Sequence, residues 1–310
     1  MAGGGDRTRA TGWSYDEPLF DCEQLPLPPT RVGLKPVNVA QVPLISPFRY
    51  PGGKTWLVPW VRTWARKHRL STFVEPFAGG ASCGLMVASE TLARTVHLNE
   101  LDPVVASVWE LLVNGSDADT NALCQLILEF EVTLDNVKRE HERKPDTLVS
   151  RAFQTIVRNR TARGGILASG AGISKAGEAG RGLRSRWYPE TLVRRMRIIR
   201  TIRQRLVFTQ LDALDLMVDR NLDQSECGWF IDPPYTVGGK RAGSRLYTQH
   251  EVDHKQVFSL AAELRGPVMM TYDESREVRE LADEFEFLVE RVPMKSTHHA
   301  LHRELVLSRG

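Results

Sequence analysis

From Thr72 onward the 310-residue chain alternates short apolar runs with longer stretches of helical period. The runs "TFVEPF" (72–77), "TVHLN" (95–99), "LVFTQ" (206–210), "WFID" (229–232), "PVMMTY" (267–272), "FEFLVERV" (285–292) and "ELVLS" (304–308) each read as a buried strand. Between several of them lie amphipathic helices: in "DHKQVFSLAAELRG" Val257, Leu260, Ala261 and Leu264 recur at i, i+3, i+4 and i+7 on one face. Strands alternating with helices predict an α/β fold on a mostly parallel, doubly wound sheet. No helix separates the last two strands, which predicts an antiparallel pair at the sheet end.

Two regions depart from this rhythm. Residues 1–45 hold six prolines between Pro18 and Pro43 and a Gly- and Arg-rich start; they read as a largely irregular tail able to wrap the core at its end. Residues 131–205 have Arg-rich helical ends, "LVSRAFQTIVRNR" and "ETLVRRMRIIRTIRQR", around "GGILASGAGISKAGEAGRG", where 7 of 19 residues are glycine. The expected organisation is an α/β domain from 46–130 and 206–310 with an insert at 131–205.

With 42% apolar and 25% charged residues the chain is ordinary globular material, long enough for one large domain plus an insertion. Its net charge of +3 hides an asymmetry. Residues 136–205 hold 18 Lys or Arg against 5 Asp or Glu, an excess of 13, so the remainder carries 3 − 13 = −10. A basic module inside an acidic protein points to a polyanion-binding surface, with nucleic acid the leading partner; an exposed helix face or a surface linker is the structural alternative. Cys22, Cys83, Cys124 and Cys227 are too widely spaced for a zinc site and fit free thiols in a reducing compartment. No apolar run reaches 18 residues and "MAGGGDRTRATGW" has no apolar targeting segment, so a cytoplasmic protein without a membrane partner is expected.

"FRYPGGKTWLVPW" (48–60) poses the first chemical question, because Gly53-Lys54-Thr55 could end a triphosphate-binding P-loop. The first glycine of that motif would fall on Phe48, and the P-loop reading fails there. A plain turn and a different cofactor site remain open on this stretch alone. "FVEPFAGGASCGL" (73–85) reads as strand, acid, glycine turn and helix, the corner at which a ligand meets the carboxyl ends of parallel strands. "LNELDP" then places Glu100 about 20 residues beyond the turn, where an acid can accept hydrogen bonds from both ribose hydroxyls of an adenosine; a solvated carboxylate fits equally well.

"WFIDPPYTVGG" (229–239) decides between these readings. A strand delivers Asp232-Pro233-Pro234-Tyr235 to the sheet edge, and the prolines fix φ and offer carbonyls without competing N–H donors. The exocyclic amine of a nucleobase is a poor nucleophile, since its lone pair is delocalised into the ring. A carboxylate and a carbonyl that accept its two hydrogens can draw it towards tetrahedral geometry while a tyrosine stacks on the base.

The ordered set "RYPGGK", "FVEPFAGG", "LNELDP", basic insert and "DPPY" resembles the Dam-like adenine-specific DNA methyltransferases, the alpha arrangement of the amino-methyltransferases, over roughly residues 46–310. The resemblance implies the S-adenosylmethionine-dependent methyltransferase fold, Rossmann-like, with a seven-stranded sheet, a reversed final strand and an inserted DNA-recognition domain. It also implies methyl transfer to adenine N6 in double-stranded DNA, with S-adenosylhomocysteine as product and no metal. By the same resemblance Tyr50 and Lys54 close the methionine end of the cofactor. Glu75, Pro76, Phe77 and Gly79 form the cofactor turn, Glu100 holds the ribose, and Asp212 lies near the cofactor's adenine. Asp232, Pro233, Pro234 and Tyr235 carry the chemistry. The family turn is often F-x-G-x-G, whereas Ala81 stands here at the last position; alanine is small enough for the turn to survive, without access to glycine's most strained conformations.

Arg158, Arg160, Arg163, Lys175 and Arg184 are the expected DNA contacts, to phosphate or base. The rivals are N4 methylation of cytosine, which uses the same amine chemistry, and a catalytically silent DNA-binding protein of the same fold. "STHHALHRE" gathers His298, His299 and His302, but a Pro293-to-Arg303 loop is a poor helix, and a polar loop over the groove is preferred to a metal site. A bacterial or phage setting is expected. The recognition sequence and any cognate restriction endonuclease or other defence-system component stay open.

Overall fold

Seven strands form one sheet in the order β3-β2-β1-β4-β5-β7-β6. They are β1 (Thr72–Glu75), β2 (Thr95–Asn99), β3 (Leu206–Thr209), β4 (Cys227–Ile231), β5 (Val268–Asp273), β6 (Leu288–Lys295) and β7 (Leu301–Arg309). The computed structural model describes residues 42–50, 53–167, 171–234, 252–295 and 301–310, with the side chains of 293–295 and 301–303 excepted. The ladders β3-β2-β1-β4-β5 are parallel, and β7 runs antiparallel to both β5 and β6. The seven strands and the reversed last one match the expectation from the apolar runs.

Crossover helices connect the parallel strands: α2 (Ser82–Ser89) follows β1, α3 (Pro103–Trp109) and α4 (Asp117–Glu129) follow β2, α8 (Ala213–Met217) follows β3, α9 (His254–Glu263) follows β4 and α10 (Arg276–Glu284) follows β5. Alternate residues of each strand face opposite layers. Phe73, Phe230, Met269 and Val306 join the cluster that includes α1 (Val58–His68), α2 and α3. Val74, Trp229, Ile231, Met270, Leu305 and Leu307 join the cluster under α9 and α10. Strand order reverses between β1 and β4, and in such sheets the carboxyl-end crevice at the reversal is where ligands bind.

In the 131–205 region α6 (Leu148–Thr161) and α7 (Pro189–Ile202) form at the two Arg-rich ends expected to be helical, and α5 (Leu134–Glu142), not expected from the sequence, precedes them. Phe153, Ile156 and Val157 of α6 and Leu192, Met196 and Ile199 of α7 are buried in the same cluster as α1 to α3. The two helices are therefore amphipathic, and their apolar stripes extend the core on one face of the sheet.

Three boundaries differ from the sequence reading. β1 stops at Glu75 rather than 77, because Pro76 has no N–H to give the ladder. The run starting at Phe285 is not yet strand: Phe285 closes α10, Glu286 takes φ 59°, and β6 begins at Leu288. The expected Pro293-to-Arg303 loop is mostly ladder, with Pro293 opposite Arg303, Met294 opposite His302 and Lys295 opposite Leu301. Once the hairpin is in register its pairing continues, and Pro293 is tolerated because β6 is an edge strand. His302 thus belongs to β7, and His298 and His299 lie outside the described residues. Among the described residues no helix is long and apolar enough to cross a membrane.

Asn99, fully buried at the end of β2, holds the carboxyl ends of three strands together. Its Nδ2 donates to the carbonyls of Pro76 and Leu211, both at 3.0 Å, and its Oδ1 accepts from Thr209 Oγ1 at 2.8 Å and Leu211 N at 3.0 Å. Removing it orphans several buried groups at once. Asn99→Ala is expected to lower unfolding free energy by about 2–4 kcal/mol in urea titrations; a loss within about 0.5 kcal/mol would show that the stitch is dispensable.

Candidate active site

The chain turns from β1 into α2 through Pro76, Phe77, Ala78, Gly79, Gly80 and Ala81. Glycine is required here by a close approach: a Cβ on Gly79 would lie 2.6 Å from Tyr50 Cε1, and one on Gly80 2.9 Å from Tyr50 Cβ. Gly79 also takes φ +47°. Ala81 adopts φ 49°, ψ 34°, so the alanine at the departing position does enter the left-handed region, at a cost of about 1–2 kcal/mol. Two side chains fix the turn from outside: Trp109 Nε1 donates to Gly79 O at 2.8 Å, and Glu100 Oε2 accepts from Gly79 N at 2.8 Å.

Glu100 is half-buried at the end of β2 and its other oxygen accepts from Asp102 N at 2.9 Å. Desolvation raises its pKa to about 7, against the pull of these backbone donors. Glu75, at the end of β1, is buried and accepts from Gly84 N at 2.9 Å. Burial pushes its carboxyl well above the usual range; the Gly84 N–H opposes this, Asp232 adds to it and Lys54 offsets it. Gly84 must be glycine, because a Cβ there would sit 2.6 Å from Glu75 Oε2 and 2.5 Å from Leu98 Cδ2.

Asp232 follows β4 and faces the same space. Its Oδ1 accepts from Lys54 Nζ at 2.9 Å and from Thr271 Oγ1 at 2.7 Å. The same ammonium lies 3.2 Å from Glu304 Oε1, and Lys54 and Glu304 are both buried. One lysine from the segment before α1 therefore joins the ends of β4 and β7, and Thr271 adds β5. Such an ammonium is committed to carboxylates, which removes the triphosphate reading of "PGGK".

These groups line one cavity of about 200 Å³ over the β1/β4 reversal. Six acidic side chains border it, Glu75, Glu100, Asp102, Asp212, Asp232 and Asp253, with Lys54 as the cationic side chain, and Tyr50 and Phe77 as aromatic walls. A pocket of this charge suits a cation with an aromatic or sugar part and repels a polyphosphate.

A family model described as D12 class N6 adenine-specific DNA methyltransferase matches residues 50–295, most of the chain. The chain belongs to that family. This D12-class enzyme methylates adenine N6 in DNA, and S-adenosylmethionine is its methyl donor. No curated protein matches it. Among solved structures it is similar to a protein assigned as an RNA methyltransferase from Pyrococcus horikoshii (9% identity, 84% of each chain covered, TM-score 0.35). Another is a precorrin-6y C5,15-methyltransferase from Geobacter metallireducens (9% identity, 81% of this chain and 86% of that one, TM-score 0.31). Likenesses this distant carry no argument about substrate.

The D12-class pocket fits the cofactor by its own chemistry: a sulfonium and an ammonium are cations, and the lining is mainly anionic. Tyr50, Lys54, Glu75, Pro76, Phe77, Gly79, Glu100, Asp212, Asp232, Pro233 and Pro234 all border it, while Tyr235 lies outside the described residues. Asp212 is exposed at its lip and accepts from Leu214 N at 2.8 Å, capping α8.

The expected DNA contacts divide. Arg163, Lys175 and Arg184 are exposed. Arg158 donates to His141 O at 2.5 Å. Arg160 does not reach the surface as expected: it is 5% exposed and its guanidinium donates to the Pro47 carbonyl, because it lies on the core-facing side of α6. Gly84, Asn99, Trp109, Thr271 and Glu304 were not singled out from the sequence. Thr271 and Glu304 left one trace, polar residues within the apolar runs "PVMMTY" and "ELVLS".

If Glu100 holds the cofactor's ribose, as the resemblance implies, the hydroxyls would favour its ionised form, draw its pKa down from about 7 and release protons on binding near neutrality. Cofactor affinity is expected to rise with pH between about pH 6 and about pH 8, by up to tenfold per unit below the pKa. Calorimetry in buffers of different ionisation enthalpy checks the proton release. Glu100→Gln should flatten the profile, and a flat wild-type profile would remove Glu100 from ribose binding.

Proposed function

We propose that this D12-class enzyme works in the Dam-like alpha arrangement, with the catalytic domain from 46–130 and 206–310, the target-recognition insert at 131–205 and an irregular tail at 1–45. The observation that carries the reading is the position of Asp232. Its carboxylate is locked by Lys54 and Thr271 at the mouth of the anionic pocket, next to the glycine turn.

In this reading the basic face of the insert, with Arg163, Lys175 and Arg184 exposed, binds the DNA backbone while the target adenine leaves the stack. Bound S-adenosylmethionine supplies a sulfonium methyl as the electrophile. Asp232 and the carbonyl of Pro233 accept the two N6 hydrogens, pyramidalising the amine so that its lone pair points at the methyl; Tyr235 stacks on the base. Lys54 and Thr271 prevent the carboxylate from rotating, so orientation is set before the base arrives. Asp232 need not be a strong base, because the amine becomes acidic only once it carries the methyl, and no covalent enzyme intermediate forms.

Metal plays no part in this scheme. We place the enzyme in a bacterial or phage-infected cytoplasm, with a cognate restriction endonuclease or another defence component reading the same site.

Sequencing DNA from a methylation-deficient host expressing the chain should show N6-methyladenine at one short motif. Asp232→Ala is expected to cut turnover at least about a thousandfold while cofactor binding, followed by calorimetry, is largely retained. Wild-type turnover in that variant would sink the assignment of Asp232.

A further inference from the structure

Outside the pocket, Arg49, Arg160, Arg186 and Arg195 form a cluster of positive charge, and Glu178 pairs with two of them, Arg49 and Arg186. Arg49 Nη1 and Nη2 lie 3.3 and 3.5 Å from the two oxygens of Glu178, and Arg186 Nε lies 3.9 Å from Glu178 Oε2. Behind them are Arg160 and Arg195; burial first, and then the charges of Arg195, Arg49 and Arg186, hold the Arg160 guanidinium below its ordinary pKa. The Nε atoms of both Arg160 and Arg186 are buried with no hydrogen-bond partner among the described residues.

The arginine side of this cluster is rigid. Asn159, fully buried, accepts from Arg49 N and donates to Arg49 O, both at 2.9 Å. Arg160 donates to Pro47 O and Arg195 Nη1 to Ser46 O at 3.0 Å. Arg49 is therefore held immediately before Tyr50, whose ring covers the glycine turn of the active site. The carboxylate side is loose. Contacts of 3.3–3.9 Å are long for a charge-assisted pair, which settles at about 2.7–2.9 Å. Glu178 also stands between Gly177 (φ 66°) and Gly180 (φ 73°), in the glycine-rich stretch.

Four guanidinium groups, two with unused buried donors, exceed what one poorly seated carboxylate can satisfy. A phosphodiester offers two anionic oxygens of similar spread to a carboxylate and suits the planar fork of arginine. We propose that Arg49 and Arg186, backed by Arg160 and Arg195, form a preorganised site for a backbone phosphate of the DNA, and that Glu178 occupies it in the free protein as an internal stand-in. This rests on the reading of the chain as a DNA methyltransferase. On DNA binding the phosphate displaces Glu178, and the glycines on either side let the carboxylate move away. Because Arg49 adjoins Tyr50, the phosphate docks beside the active-site mouth.

The test is duplex DNA binding by fluorescence anisotropy across a salt series, for the wild type, Glu178→Gln and Arg186→Ala, with a methylation assay of the wild type alongside. Glu178→Gln is isosteric at a side chain 37% exposed, so folding is not at stake. It removes the competitor and is expected to tighten binding about threefold to tenfold. Arg186→Ala is expected to weaken binding on all sequences alike and make the slope of log K against log salt shallower by about 0.9. If Glu178 merely held its loop in place, Glu178→Gln would weaken binding instead. Weaker or unchanged binding in that variant, with a wild type that binds and methylates DNA, would overturn the phosphate site and leave the methyltransferase reading intact. A wild type that neither binds nor methylates DNA would overturn both.

Discussion

The active site depends on one buried ammonium. Lys54 Nζ sits between Asp232 and Glu304, at 2.9 and 3.2 Å, where little solvent reaches it. Removing an ammonium and two carboxylates from water costs several kcal/mol per ion, and mutual attraction offsets this only when all partners are in place. The consequence is geometric. The segment before β1, the end of β4 and the end of β7 must close together, with Thr271 of β5 completing the shell around Asp232. The reversed strand β7 thus supplies Glu304 to the site as well as closing the sheet.

A second constraint is contact between a ring and a bare backbone. Tyr50 lies so close to Gly79 and Gly80 that a Cβ at either would collide with it. The same turn is held by Trp109 from below and Glu100 from the side. Ala81 tolerates its left-handed conformation because it is buried and its helix, α2, is fixed by the Gly84 contact with Glu75. Strain of this kind persists where surrounding contacts over-determine the backbone, as they do here.

The second constraint rests on residues 46–50. Their carbonyls and amide are gripped by Asn159, Arg160 and Arg195 of α6 and α7, so the basic region packs directly on the strand of chain that carries Tyr50. Part of its arginine content is therefore structural. Arg160 and Arg200 cap backbone carbonyls, Arg200 those of Leu112 and Gly115, while 12 of the 18 basic side chains of 136–205 remain exposed.

The sequence by itself determined the strands, their faces and the order of the motifs. Apolar alternation, prolines and glycine turns act over a few residues and are legible wherever they occur, as in "FVEPFAGG" and "WFIDPP". It also placed Glu75, Glu100 and Asp232 at strand ends, which the sheet gathers at the β1/β4 reversal. What only the tertiary structure decided are the partners of these groups. Glu304 is 250 positions from Lys54 and Asn159 is 110 from Arg49, so no local pattern records their contacts. Nor could composition show that Arg160 points inward, since an arginine on a helix reads the same whether its guanidinium meets water or a buried carbonyl. Pairing between distant segments is set by how the layers pack, and charge takes its role from that packing.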